Sequence, residues 1–145
     1  MKKSTRKKIT SLALATGIAS AIIVPNTPSF AADNNVGYNF LITQFQQNNY
    51  AASRYRQTKS VDNKWKVKMT YSDESGGKTY TRFWLSGFPV SKNVSSTVNV
   101  LEDHDAYYRK PYEEANQADV RLTAENNNFS NTVYNAEGYW DEETW

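Results

Sequence analysis

The chain has 145 residues, with 17 Lys and Arg against 15 Asp and Glu, 14% aromatic residues and no cysteine. The missing cysteines exclude disulfide staples, iron–sulfur clusters, thiolate zinc sites and cysteine nucleophiles. Five of the bases and none of the acids lie in residues 1–31, so residues 32–145 carry a net charge of about −3 and lack the concentrated cationic surface that nucleic-acid binding needs.

Met1 to Lys8 contains Lys2, Lys3, Arg6, Lys7 and Lys8, and Ile9 to Val24 contains no charge. Pro25 and Pro28 end any helix begun in that apolar run, and Ser29-Phe30-Ala31 places small residues at the two positions a signal peptidase reads. The pattern predicts a signal peptide over residues 1–31, cleavage after Ala31, and a secreted β-rich domain over residues 32–145. A membrane anchor would need about 20 apolar residues, whereas this run is shorter and is diluted by Thr10, Ser11, Thr16 and Ser20. The cleaved product is therefore not expected to be an integral membrane protein.

What remains suits one domain. All four Trp and all ten Tyr fall in it, so aromatic area can compensate for a modest supply of Leu, Ile and Val. Ala32 to Val36 is polar. From Tyr38 the pattern becomes that of strands, with Tyr38, Phe40 and Ile42 alternating with Asn39, Leu41 and Thr43. Asn48-Asn49 predicts a turn, followed by a short ambiguous segment over Tyr50 to Thr58. In Lys64 to Ser72, Trp65, Val67, Met69 and Tyr71 fall on one face and Lys64, Lys66, Lys68 and Thr70 on the other, as in a half-buried strand. Asp73-Glu74-Ser75-Gly76-Gly77 then predicts a turn, and Lys78 to Leu85 a returning strand, which together read as a hairpin.

Gly87, Pro89 and Ser91 to Asn93 mark a connection before a Val- and Thr-rich strand over Ser95 to Leu101. Glu102-Asp103-His104-Asp105 and Tyr107 to Tyr112, with Pro111, read as an excursion at an edge or in a loop. Val120, Leu122 and Ala124 alternate with Arg121 and Thr123, and Asn126-Asn127-Asn128 turns the chain into Phe129 to Trp140. Six or seven short strands at these intervals predict an all-β fold, a small antiparallel sandwich or partly open barrel with little helix.

Ser53-Arg54-Tyr55-Arg56-Gln57-Thr58, Trp65-Lys66-Val67, Ala124-Glu125-Asn126-Asn127-Asn128 and Gly138-Tyr139-Trp140-Asp141-Glu142-Glu143-Thr144 together resemble an uncharacterised family of small secreted proteins from Bacillus-like Gram-positive bacteria. The likeness covers nearly all of the mature chain and brings no catalytic residue with it. Size, signal peptide, absence of cysteine and aromatic β-rich composition are also similar to lactococcin-type bacteriocins. That similarity implies a small β-sandwich and a target in cell-wall synthesis, although the acidic mature charge departs from the cationic character common among membrane-directed bacteriocins.

No cofactor is expected. His104 between Asp103 and Asp105 is the most tempting ligand group, but neighbours on an extended chain point apart and one histidine makes a poor zinc site, so the group reads as a solvated acidic loop. Glu113, Glu114, Asp119 and Glu125 offer carboxylates for glycoside hydrolysis, without a pattern that makes two of them converge. No Ser-centred nucleophile elbow, HExxH sequence or phosphate loop is present.

The chain therefore reads as a non-enzymatic recognition protein, bacteriocin-like and directed at the cell envelope, or alternatively as a carbohydrate-binding or cell-wall-associated module. Tyr and Trp join apolar area to a polar edge, so the partner-binding candidates are Tyr107, Tyr108, Arg109 and Tyr112 in the excursion and Tyr139, Trp140 and Trp145 at the end. The expected partner is an envelope glycan or protein, and the pattern sets no oligomeric state. Asp141, Glu142 and Glu143, costly to bury unpaired, are expected on a solvated tail.

Overall fold

The computed structural model describes residues 33–77 and 79–145; the expected signal peptide, residues 1–31, lies outside them. The described chain forms nine strands: β1 (Val36–Ile42), β2 (Asn49–Tyr50), β3 (Arg54–Tyr55), β4 (Trp65–Ser72), β5 (Tyr80–Gly87), β6 (Val98–Leu101), β7 (Tyr107–Arg109), β8 (Asp119–Asn126) and β9 (Tyr134–Asp141). Two single-turn 3-10 helices, Gln44–Gln46 and Glu113–Ala115, are its helical elements. The strands make two antiparallel sheets. The first has the order β1-β9-β4-β7, and the second β2-β8-β5-β6 with β3 also paired to β8. The expected all-β fold forms, and of the two arrangements expected, a sandwich or a partly open barrel, it is the sandwich. Strand number exceeds the expected six or seven because the ambiguous segment supplies β2 and β3 and the excursion supplies β7.

Alternation places the core. Tyr38, Phe40 and Ile42 of β1, Trp65, Val67 and Met69 of β4, and Ala136 and Trp140 of β9 turn inward from the first sheet. Phe83 and Leu85 of β5, Val98 and Val100 of β6, and Val120, Leu122 and Ala124 of β8 turn inward from the second, and all belong to one buried cluster. Tyr38 stacks on Phe40 at 5.1 Å and reaches Phe83 across the interior at 5.4 Å.

The hairpin expected between β4 and β5 does not form. β4 pairs with β9 and β7, β5 with β8 and β6, and the intervening turn carries the chain from one sheet to the other. Gly76 and Gly77, with φ of 118° and 95°, occupy backbone regions that residues with a Cβ avoid. The physical reason for the crossing is burial. Each strand has an apolar face, and placing the two strands in opposite sheets lets Val67 and Met69 face the same interior as Phe83 and Leu85. Strand alternation alone cannot distinguish the two arrangements, since it is satisfied in both.

A second departure lies within β4. The register on β9 shifts between Met69 and Tyr71, so Thr70 is the extra residue of a bulge. A bulge inverts the in-and-out phase beyond it. Tyr71, expected on the buried face, is 47% exposed, while Ser72 turns inward. At the same place Gly138 is required: a Cβ there would stand 1.9 Å from the Lys68 carbonyl oxygen and 2.7 Å from the Tyr38 hydroxyl. Tyr38 lies over that gap, and its hydroxyl donates to the Lys68 carbonyl at 3.0 Å. Burial raises the pKa of this phenol far above its usual range.

Candidate recognition face

The outward side chains of the first sheet follow from its register. Tyr108, Lys66 and Asp141 stand opposite one another on β7, β4 and β9. Two residues along, Lys68 stands opposite Tyr139, and beyond the bulge Tyr71, Glu137 and Asn39 form a third row. Tyr108 and Tyr71 are 45% and 47% exposed, and Tyr139 is half-buried. With strands about 4.8 Å apart and a rise of about 3.4 Å per residue, Tyr108 and Tyr139 are on the order of 12 Å apart at their Cα atoms. Three phenols thus point to one side of the sheet, while Lys66 and Asp141 in the first row are themselves buried.

The polar groups among them are held in place. Lys66 Nζ donates to Asp33 at 2.9 Å. The Asn39 side-chain amide donates to Glu137 at 2.9 Å. Asp73 receives the Asn135 backbone N–H at 2.6 Å and its side-chain amide at 2.8 Å, and these bonds hold the Asp73 carboxyl below the usual carboxylate range. Such a surface offers aromatic area bordered by fixed donors and acceptors.

Of the partner-binding candidates read from the sequence, the structure brings together Tyr108 and Tyr139. Tyr107 turns the other way, packs against the core and accepts a hydrogen bond from the Leu101 N–H at 3.4 Å. Arg109 is exposed at the sheet edge, its guanidinium donating to the Tyr108 carbonyl at 2.9 Å. Tyr112, 46% exposed, belongs to another surface, since its N–H bonds to the carbonyl of Val94. Trp140 is a correction: it is 1% exposed and fills the core, because β9 alternates and Tyr139 takes the outward place. Trp145, 55% exposed, follows Thr144 beside the entry to β4. Tyr71 was missed by the sequence reading because the bulge that turns it outward leaves no mark in the alternation.

The expected solvated tail is the larger correction. Asp141, Glu142 and Glu143 are 2%, 6% and 1% exposed. Arg54 grips the Glu142 carboxylate with Nε and with Nη2, the latter at 2.9 Å, and this contact raises the Arg54 pKa further. Glu143 accepts the backbone N–H groups of Thr58 at 2.8 Å and Gln57 at 3.1 Å. Arg56, fully buried, donates to the carbonyls of Glu142, Ser60 (2.9 Å) and Asn63. Thr144 closes the clasp, its N–H and hydroxyl both bonding to the Lys64 carbonyl at 2.8 Å. Glu142 and Glu143 are buried because they meet donors that a reading of the tail by itself cannot supply, whereas Asp141 accepts the Glu143 N–H at 3.3 Å through one oxygen.

Another group outside the core was also missed. On the outer face of the second sheet the Arg121 guanidinium sits 3.8 Å from the Tyr50 ring centroid and 5.6 Å from that of Phe88, a cation–π arrangement assembled from three distant segments. His104, Asp103 and Asp105 are exposed, as expected, and the His104 ring lies 5.4 Å from that of Tyr107. Among the described residues no pocket opens, no cluster of three or more His, Asp or Glu has the geometry to hold a metal ion, and no helix is long and apolar enough to cross a membrane.

Residues 27–144 match the model of a family described as protein of unknown function (DUF2712). The chain belongs to that family. Comparisons with curated proteins and with solved structures find no match. Three of the four segments that carried the resemblance to an uncharacterised family, around Arg54, Lys66 and Glu142, meet at the clasp. The fourth ends β8, where the buried Asn126 side chain accepts the Asn128 N–H at 2.8 Å and turns the chain. In this DUF2712 protein the segments of the clasp have a structural use: they fasten the end of β9 to β3 and to the entry of β4.

Proposed function

We propose that the chain is exported, loses residues 1–31, and acts without catalysis as a recognition protein at the bacterial envelope, with its ligand lying across the outer face of the first sheet. The observation that carries this reading is the placement of Tyr108, Tyr139 and Tyr71 on one solvent face among fixed amide and carboxylate groups. Phenols on one side of a sheet with polar neighbours suit an extended glycan, whose sugar rings present apolar faces and hydroxyl edges. The charge-free run Ile9 to Val24 behind a basic start supports export. A bacteriocin-like role rests on the resemblance in size, leader and composition, and a source in Bacillus-like bacteria on the resemblance of the four segments.

The test is co-sedimentation of the purified protein with peptidoglycan sacculi and with isolated wall polysaccharide, alongside Tyr108→Ala and Tyr139→Ala. Each substitution is expected to weaken binding by roughly 3- to 10-fold, the loss of one aromatic contact, without lowering the unfolding midpoint. Absence of binding to either polymer, or binding indifferent to both substitutions, would refute the reading. Growth inhibition of related cells by the same preparation separates the bacteriocin-like role from a wall-associated module, and amino-terminal sequencing of the exported product should begin at Ala32.

A further inference from the structure

The sheet edges differ in how they resist pairing with another strand. β7 is three residues long, contains Arg109 and runs into Lys110 and Pro111. β6 has four residues and is followed by Glu102, Asp103 and Asp105. β2 and β3 are two residues each, and β3 begins at Arg54. Shortness, charge and proline are the devices by which sheets protect their edges.

β1 has none of them. It runs unbroken for seven residues, and the chain from residue 34 to residue 53 contains no charged residue and no proline. Among the described residues β1 pairs only with β9, so its other side presents a row of backbone donors and acceptors. Its outward side chains, Gly37, Asn39 and Leu41, are exposed, Leu41 by 55%.

We propose that this edge pairs antiparallel with β1 of a second copy of the chain. Self-pairing brings identical residues together, and it is the absence of charge that lets two copies approach without the repulsion that like charges on facing strands produce. A charged partner strand would gain nothing from so neutral a segment. An antiparallel pair of β1 strands relates the copies by a two-fold axis perpendicular to the sheet. Such an interface is self-complementary and closed, so it consumes both β1 edges and yields a dimer, not a filament. The first sheet then has eight strands, and the two tyrosine faces lie on the same side of it. The pairing itself does not depend on what those faces bind.

Sedimentation velocity of the purified protein over a hundredfold concentration range should show a reversible monomer–dimer equilibrium. Leu41→Lys, which places a cation on the edge at an already exposed position, should weaken dimerisation at least tenfold with an unchanged unfolding midpoint, whereas Val90→Lys, on a loop residue 74% exposed, should leave it intact. Because the chain has no cysteine, single Gly37→Cys, Asn39→Cys and Leu41→Cys variants report the contact directly. At least one should cross-link under mild oxidation, and Val90→Cys should not. A monomer at every concentration, a dimer indifferent to Leu41→Lys, or an edge occupied only on addition of an unrelated extended peptide would overturn the proposal.

Discussion

Two acidic segments of similar composition meet opposite fates. Glu102-Asp103-His104-Asp105 makes a turn between β6 and β7 in which Asp103, His104 and Asp105 remain exposed. It is fastened through the backbone, with Glu102 N–H on the Thr79 carbonyl and Asp103 N–H on the Met69 carbonyl, and the Glu102 carboxylate receives the Ser72 N–H at 3.0 Å. Asp141-Glu142-Glu143, by contrast, is buried, with Glu142 held by Arg54, Glu143 by the backbone of Gln57 and Thr58, and Asp141 by the Glu143 N–H at 3.3 Å. The lesson is that three carboxylates in a row state a need for donors. Whether they stay in water depends on what the rest of the chain brings to them.

The sharpest way to break this contrast is Arg56→Met. It preserves much of the apolar volume but strips hydrogen bonds from the carbonyls of Glu142, Ser60 and Asn63 and a cation from beside the buried acids. Removing one member of a buried ionic group costs about 3–5 kcal/mol, so urea unfolding should show a loss of that size; a loss under about 1 kcal/mol would mean that the clasp is solvated after all.

A smaller effect separates the two acidic segments directly. Glu143→Gln leaves one of two buried backbone N–H groups facing an amide donor, at an expected cost of about 1–3 kcal/mol. Glu102→Gln at the half-exposed turn should cost less than about 1 kcal/mol, because water can take over the Ser72 N–H. Equal losses in paired denaturation curves would erase the distinction.

The finest test is a pH slope. Burial, with the nearby Glu142 charge adding to it and the Glu143 backbone N–H opposing it, holds the Asp141 pKa above its ordinary value of 3.8, so the folded protein retains this proton where the unfolded chain has lost it. Asp141 therefore lowers stability as pH rises from the unfolded value through the raised folded one. Asp141→Asn should gain stability relative to the parent as pH rises above about 4. A difference in denaturation midpoints that is flat or falls as pH rises above about 4 would contradict the assignment.

What the sequence determined by itself was local. Alternation at Tyr38-Phe40-Ile42, Trp65-Val67-Met69 and Val120-Leu122-Ala124 identifies strands and their buried faces because side chains on an extended chain point alternately to either side, and that was enough to establish an all-β fold, as a sandwich or a partly open barrel. It also named Tyr108 as a partner-binding candidate, without separating it from the buried Trp140. Tertiary structure decided the rest. The same alternation permits β4 and β5 to be partners or to face each other across the core, and only the competing claims of β7, β8 and β9 resolve it. A one-residue bulge at Thr70 turned Tyr71 to the recognition face, and strand phase sent Trp140 inward beside Tyr139. The Glu142 and Glu143 carboxylates were buried by a guanidinium and by backbone N–H groups more than eighty residues earlier. Burial of a charge is a property of its partners, and partners that distant are chosen by the fold.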